Sequence, residues 1–354
     1  MAQPFGDGRA GEILLSSRAD ISRNVAGEIF PPRMDENRKR SCALLQRENE
    51  VLQKVCAGSS LLLSSPIGSR GDGDNGFYYA HRFVGVKPVI DFTQIAVCPE
   101  REICVALNCG DHFHVQSSSA SKPLREVVDC ALEFTKELGE QIKFEHSEKF
   151  GFLTSNLEDV GTGARFSLFV HLPGLVLDRQ MDKVVRAINM CDLTIHSCFG
   201  YGPESAGSIF QISNLRTFDV STDDLVKTLQ DWGAGIIEQE RNARKRLVKK
   251  NGVALFDQIS RIYGEMRFGI LATEAESLTG LSFLRMACDM KIFPEYVRPI
   301  IDDLILEVQS DYIAFHNKIT ISNRHAFAAT VNKLRGTILR NAFVAIPPPD
   351  FSAF

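Results

Sequence analysis

The chain has 354 residues and a formal net charge of −4, with 44% hydrophobic and 24% charged residues. That length suggests two or three domains, and that composition builds ordinary globular cores. The acidic balance argues against a nucleic-acid partner, which usually meets a basic surplus, but leaves room for a local cationic pocket. Nine cysteines, an odd count with no Cys-x-x-Cys pair, point to a reducing, cytoplasmic compartment and away from a zinc site. Met1-Ala2-Gln3-Pro4 opens no basic-then-apolar leader, and apolar runs such as Ser167–Leu177 are too short for a bilayer, so neither secretion nor a membrane partner is expected.

In chain order, Glu36–Ala57 reads as an amphipathic helix with Leu44, Leu45, Val51, Leu52 and Val55 on one side. Gly68–Gly76 is a loop by composition, and its Asp-x-Asp-x-Gly fragment lacks the glutamate that closes a calcium loop. Strands are predicted at Phe77–Val84, Ile95–Cys98, Ile103–Leu107 and Phe113–Gln116, with Asn108-Cys109-Gly110-Asp111 as a hairpin-like connection. A helix follows at Pro123–Gln141, a strand at Phe166–Leu172 and a helix at Asp178–Met190. Strands at Thr194–Cys198 and Ile209–Ile212 precede a long helix, Thr222–Lys250. The charged stretch Glu238–Arg246 reads as its solvated face. From Gly252 helical periods dominate, at Ala254–Tyr263, Glu274–Met290, Pro294–Asp311 and Arg324–Arg340, and Pro347-Pro348-Pro349 starts an extended tail.

Five short segments stand in order along this frame. They are Ser16-Ser17-Arg18-Ala19-Asp20-Ile21-Ser22-Arg23-Asn24, Asn108-Cys109-Gly110-Asp111-His112-Phe113-His114, and Gly151–Arg165 with its Gly161-Thr162-Gly163 turn. The last two are His196–Asn214, which contains Phe210-Gln211-Ile212-Ser213-Asn214, and Ile236–Arg244, which contains Ile237-Glu238-Gln239-Glu240-Arg241. Together they resemble the ATP:guanidino phosphotransferases (arginine, creatine and protein-arginine kinases), and the last two resemble the bacterial protein-arginine kinases in particular. The resemblance runs from about Ile13 to about Arg335.

The resemblance implies an α+β fold, an antiparallel sheet flanked by helices with a helical C-terminal domain. It places a phosphotransferase-like domain at 1–250, with a small helical part at about 12–65 followed by the catalytic-type α/β part. A dimerisation-type helical domain would fill 251–345 and a tail 346–354. It implies transfer of the ATP γ-phosphate to arginine side chains of protein substrates, with Mg2+. A homodimer, a zinc-binding activator protein and a Clp-type unfoldase would be the partners. The ATP and phosphate residues would be Ser16, Ser17, Arg18, His81, His114, Arg165, Phe166, Ser167, Leu168, Phe169, His196, Ser197, Cys198, Phe199, Gly200 and Tyr201. Glu204 would be the catalytic carboxylate, and no protein residue is expected to ligate a metal.

Arginine suits such a site because its planar fork donates several hydrogen bonds to phosphate and stays charged. A paired carboxylate is the natural aligner and proton acceptor for a delocalised guanidinium. The chain departs from the family pattern at several of these positions. Asp20, His114 and His196 stand where the family has arginine, Gly110 where it has a carboxylate, and Asn156 where it has a reactive cysteine. Asp20 reverses a sign facing phosphate, and at about 4 Å and an effective dielectric of about 20 that repulsion is on the order of 4 kcal/mol. Slow phosphoryl transfer is therefore expected, and the alternative is an inactive pseudokinase that binds or regulates. Arg18 as a surface arginine, His81 as a half-buried strand residue and Gly161–Gly163 as a plain tight turn remain open readings. In the C-terminal domain, Arg324-His325-Ala326-Phe327-Ala328-Ala329 keeps one arginine of the family's phosphoarginine-recognition motif, so phosphoarginine binding is not expected there.

Overall fold

A computed structural model describes residues 11–31, 38–64, 92–199, 206–319 and 323–352. The chain forms strands β1 (Leu14–Arg23), β2 (Leu62–Leu63), β3 (Gln94–Cys98), β4 (Ile103–Cys109), β5 (Asp111–Ser119), β6 (His146–Ser147), β7 (Gly151–Phe152), β8 (Ala164–His171), β9 (Leu193–Ser197) and β10 (Ile209–Asn214). Its helices are α1 (Arg38–Val55), α2 (Leu124–Gln141), α3 (Pro173–Leu177), α4 (Met181–Asn189), α5 (Thr222–Phe268), α6 (Glu274–Asp289), α7 (Val297–Glu307), α8 (Ser310–His316) and α9 (Arg324–Ala342). Eight strands make one antiparallel sheet in the order β2-β3-β4-β5-β1-β8-β10-β9, and β6 and β7 pair by themselves.

The alternation of side chains along each strand divides the sheet into two faces. One face carries Ala19, Ile21, Val105, Leu107, Phe113, Val115, Phe166, Leu168 and Ile212 into a core completed by α1, α2 and α5. Phe134 and Leu138 of α2 and Leu229 and Ile236 of α5 are buried in this layer. The opposite face is polar over most of β1, β5 and β8. At one end, Leu15, Phe169 and Ile209 enter a second core made by α5, α6, α7 and α9.

Several expectations need correction. The stretch at about 12–65 is not simply helical, because its first part is β1, the strand with β5 on one edge and β8 on the other. By contrast, α5 is two helices that meet at a kink at Asn251 (φ −160°, ψ 63°), close to the boundary expected near residue 250. The Pro294–Asp311 helix divides into α7 and α8 at Gln309, whose backbone is extended. The strand expected at Phe77–Val84 lies outside the described residues.

The charged end of the long helix is solvated at Glu238, Gln239, Arg241, Lys245 and Arg246, but not at Glu240 and Arg244. Glu240 is fully buried and accepts from the N–H groups of Gly174 and Leu175, each at 2.8 Å, which satisfies the free amides at the start of α3. Arg244 joins Glu240 at 2.6 Å to Asp289 at 2.9 Å. Arg285, fully buried, donates to Asp302 (2.6 Å) and to the carbonyls of Gly11 (2.9 Å) and Glu12 (2.7 Å). This network joins the end of β8 and the start of the described chain to the helical unit, and removing one member strands its partners. Arg285→Ala should lower the unfolding free energy by about 3–5 kcal/mol, read as a shifted urea midpoint. Arg261→Ala, at an exposed pair with Asp257, should leave that midpoint unchanged.

Candidate phosphate site

Arg18, Asp20 and Ser22 project from β1 on the polar face of the sheet. The register sets Asp20 opposite Gln116 of β5 on one side and opposite Arg165 of β8 on the other. Ser22 stands opposite His114 and Arg18 opposite Ser167. Two neighbouring strands therefore bring Arg18 and Arg165 to one face, although they are far apart in sequence.

Asp20 lies among the cations. Its carboxylate is 3.6 Å from Nε of Arg18 and 3.2 Å from Nε2 of His114, and its side chain is only 13% exposed. Burial pushes this carboxyl up, but the charge of Arg18, the hydrogen bond and charge of His114 and the charge of Arg165 together hold it below the usual carboxylate range. Asp20 is thus an ionised, partnered anion within the cluster. The Arg18 guanidinium also lies 5.5 Å from the ring centre of Phe169. Arg165 has its own acids: it donates to Asp159 at 2.7 Å and comes within 3.9 Å of Glu158. Sequence reasoning missed Asp159, which a short 3-10 turn at Leu157–Asp159 brings back to Arg165.

The frame around these side chains is held by motif residues that do not face the cleft. Asn24 donates to Asp111 (2.6 Å) and accepts from the N–H of His112 (3.0 Å), which ties β1 to the β4–β5 hairpin. Asp111 also accepts from the N–H of Ser155 (2.7 Å), so the segment containing Asn156 is anchored on the same carboxylate. Asn156 itself caps the 3-10 turn, accepting from the N–H of Glu158 and donating to Asp159. Arg23 is not a spare phosphate ligand. It donates to the carbonyls of Ser22 (2.7 Å) and Thr162 (2.9 Å) and stacks 3.6 Å from the ring centre of Phe152. Burial lowers its pKa to about 9, against the opposing charge of Asp111. Gly163 (φ 59°) makes room for it, since a Cβ there would come within 2.6 Å of the Arg23 guanidinium. The Gly161-Thr162-Gly163 turn is therefore a packing device.

The other expected residues are spread more widely. Phe166 and Leu168 turn their side chains into the main core, and Ser17 shares their side of the sheet, so these three side chains are not available to a ligand on the polar face. Ser16 and Ser167 are buried, and Ser167 accepts from Gln211 at 2.9 Å on the polar face. His196 is exposed on β9, the edge strand, and pairs with Thr194 at 2.7 Å. Phe199 donates its N–H to Ser197 at 3.2 Å, and Cys198 and Phe199 pack against the helical core. His81, Gly200, Tyr201 and Glu204 lie outside the described residues. Gly110 sits at the hairpin tip with φ 80° and nothing within 4 Å of the position of a Cβ.

His112 is fully buried beneath this hairpin. Its Nδ1 accepts from the N–H of Val25 (3.0 Å) and its Nε2 meets the Ile29 carbonyl at 3.0 Å, an arrangement that suits only the neutral ring. Burial lowers its pKa to about 4, despite the opposing pull of the Ile29 carbonyl and of Asp111 and Glu28. The unfolded chain binds the proton first as pH falls, so stability is present above the ordinary value near 6.5 and is lost towards 4, by on the order of 3 kcal/mol. His112→Gln should be less stable at pH 7 and should show a flatter fall between those limits. An unchanged slope in urea titrations would refute the assignment.

Comparison with known proteins fits this geometry. Residues 83–243 match the ATP:guanido phosphotransferase C-terminal catalytic domain, and residues 252–353 match the protein-arginine kinase McsB C-terminal domain. The chain is 30% identical over 314 residues to a protein-arginine kinase of Bacillus pumilus, covering 86% of this chain and 84% of the relative. It is 27% identical over 346 residues to that of Pelotomaculum thermopropionicum, covering 96% and 95%. Among solved structures, lombricine kinase shares the fold at a TM-score of 0.54 and 20% identity, over 69% of this chain and 73% of that one. The duplicated taurocyamine kinase of Schistosoma mansoni, with bound transition state analogue components, shares it at 0.56 and 18%, over 75% of this chain and 41% of that one. By domain content and by likeness along most of its length, this chain belongs to the ATP:guanidino phosphotransferase family, with the protein-arginine kinases.

Proposed function

We propose that the protein transfers the γ-phosphate of ATP to arginine side chains of protein substrates, and that it does so slowly. The observation that carries this reading is the Arg18–Asp20–His114–Arg165 cluster on the polar sheet face, in a chain alignable with protein-arginine kinases over most of its length. Arg18, His114 and Arg165 are the groups that would hold the nucleotide's phosphates. Mg2+ would arrive on ATP as part of the substrate. Phosphoryl transfer relies on positioning and on cations fixed around dispersed negative charge. Here each arginine has an acid beside it, Asp20 for Arg18 and Asp159 for Arg165, which weakens both as ligands before any phosphate enters. The likeness favours an active kinase over an inactive scaffold, since the relatives compared above are named as kinases.

Glu204 and Gly200-Tyr201 would complete the site from the segment between β9 and β10. A second copy of the chain would pair through the helical unit, where Phe268 (72% exposed), Ile270, Leu271 and Val344 form an exposed apolar corner. A zinc-binding activator and a Clp-type unfoldase are the partners that family membership suggests.

The test is incubation with ATP, Mg2+ and an arginine-rich protein, read by phosphoarginine mass spectrometry under non-acidic conditions. The native chain should form phosphoarginine at well under about 1 s⁻¹, the lower end for ordinary kinases. Asp20→Arg combined with His114→Arg should raise that rate about 10²-fold or more. Adding Gly110→Glu and His196→Arg should give a smaller further gain, because Gly110 has a left-handed backbone and His196 sits at the sheet edge. Ordinary kinase turnover by the native chain would show that other residues carry the site.

A further inference from the structure

We propose that Asp20 is the resident counter-ion of the phosphate cradle, so that an entering polyphosphate must displace it, and that the displaced carboxylate takes up a proton as the nucleotide binds. This rests on the kinase reading above and adds a specific control to it.

The geometry supplies the competition. Among the described residues, the charged groups that face Asp20 are Arg18 on its own strand, His114 on β5 and Arg165 on β8. The neutral Gln116 stands opposite it on β5. Cys104 on β4 lies near enough to feel the charges of Arg18 and Asp20, and burial pushes its thiol up to about 12, so it adds no charge at neutral pH. Phosphate oxygens would draw on the same positive charges that now surround Asp20. The carboxylate cannot leave the cluster freely, because β1 is hydrogen-bonded to β5 and β8 along both edges, which fixes its Cα.

Once phosphate takes the cations, Asp20 keeps its burial, loses its compensation and gains a neighbouring anion. All three changes favour the neutral carboxylic acid. A proton from solvent then adds to the carboxylate oxygen, and no bond other than hydrogen bonds is broken. The sign follows: the complex binds more protons than the free protein, so affinity rises as pH falls. His114 lies against the same carboxylate, so a variant at each position separates the two groups.

MgATP binding to the full chain, measured by calorimetry in buffers of differing ionisation enthalpy between about pH 6 and 8, counts the protons directly. The native protein should take up a substantial fraction of a proton per nucleotide. Asp20→Asn, which keeps the shape and removes the charge, should abolish most of that uptake and bind MgATP at least about 10-fold more tightly, a factor that corresponds to about one pKa unit of linkage. His114→Gln should keep the uptake. Zero uptake by the native protein overturns the proposal without any variant. Equal uptake and equal affinity in native and Asp20→Asn proteins, or uptake lost only in His114→Gln, overturns it while leaving the kinase reading in place. If neither native nor Asp20→Asn protein binds MgATP, the kinase reading falls and the proposal falls with it. Thermal melts of each variant establish that it is folded.

Discussion

Burying a carboxylate on the face of a sheet is unfavourable by several kcal/mol unless cations and donors replace the lost water. Asp20 finds them in Arg18, His114 and Arg165, and the arrangement works in both directions. Without Asp20, cationic positions on adjacent strands would face one another with no anion between them. With it, and with Asp159 on Arg165, two arginines are balanced by two acids within the described face. The face is then stable as it stands, without a ligand. A kinase site built from unopposed arginines is the reverse case, since it is relieved when phosphate arrives. Asp20 and His114 therefore act as a pair: an acid among the cations, and an imidazole placed to hydrogen-bond it.

What the chain keeps from the family pattern is largely frame. Asn24, Asp111 and His112 tie β1 to the β4–β5 hairpin, and Gly163 admits Arg23 against Phe152. These contacts are largely buried, and removing one polar group would leave its partner without a hydrogen bond. The positions expected from the resemblance to depart from the family pattern, Asp20, Gly110, His114 and His196, lie on the polar sheet face, at a hairpin tip or at the sheet edge. A substitution at such a place would alter chemistry without breaking the fold.

Much of this was legible in the residues. The strands around Ile95–Cys98, Phe113–Gln116 and Phe166–Leu172 show their apolar alternation, and the helices from Glu274 onward show their period. Strand β1 was not legible, because it is paired on both edges and nearly all its residues are buried, polar ones included, so Leu14–Arg23 shows no clean alternation. The depth of Glu240 and Arg244 was hidden for a similar reason: a charged run on a helix reads as solvated until its partners, here the start of α3 and Asp289, are known. The phosphate-type positions Arg18 and Arg165 could be named from motifs. Their acids could be only half seen, since Asp20 stands in the motif but Asp159 reaches Arg165 through a turn that no spacing rule announces.

Gly110 shows why a side chain can be hard to introduce even where space allows it. At φ 80° the hairpin tip suits glycine, and an L-residue held there is disfavoured by roughly 1–2 kcal/mol. Asn108, two residues earlier, is also left-handed at φ 55°, and its side chain donates to the buried Glu48 at 2.8 Å while its carbonyl accepts from Thr93 at 2.9 Å. The tip is thus pinned from below and cannot easily rotate to relieve a new residue. Space alone would permit a carboxylate at 110, because nothing lies within 4 Å of its Cβ. Backbone geometry resists one. The absence of an aligning carboxylate at this position is therefore built into the turn that now occupies it, and β1, β4 and β5 are hydrogen-bonded around that turn.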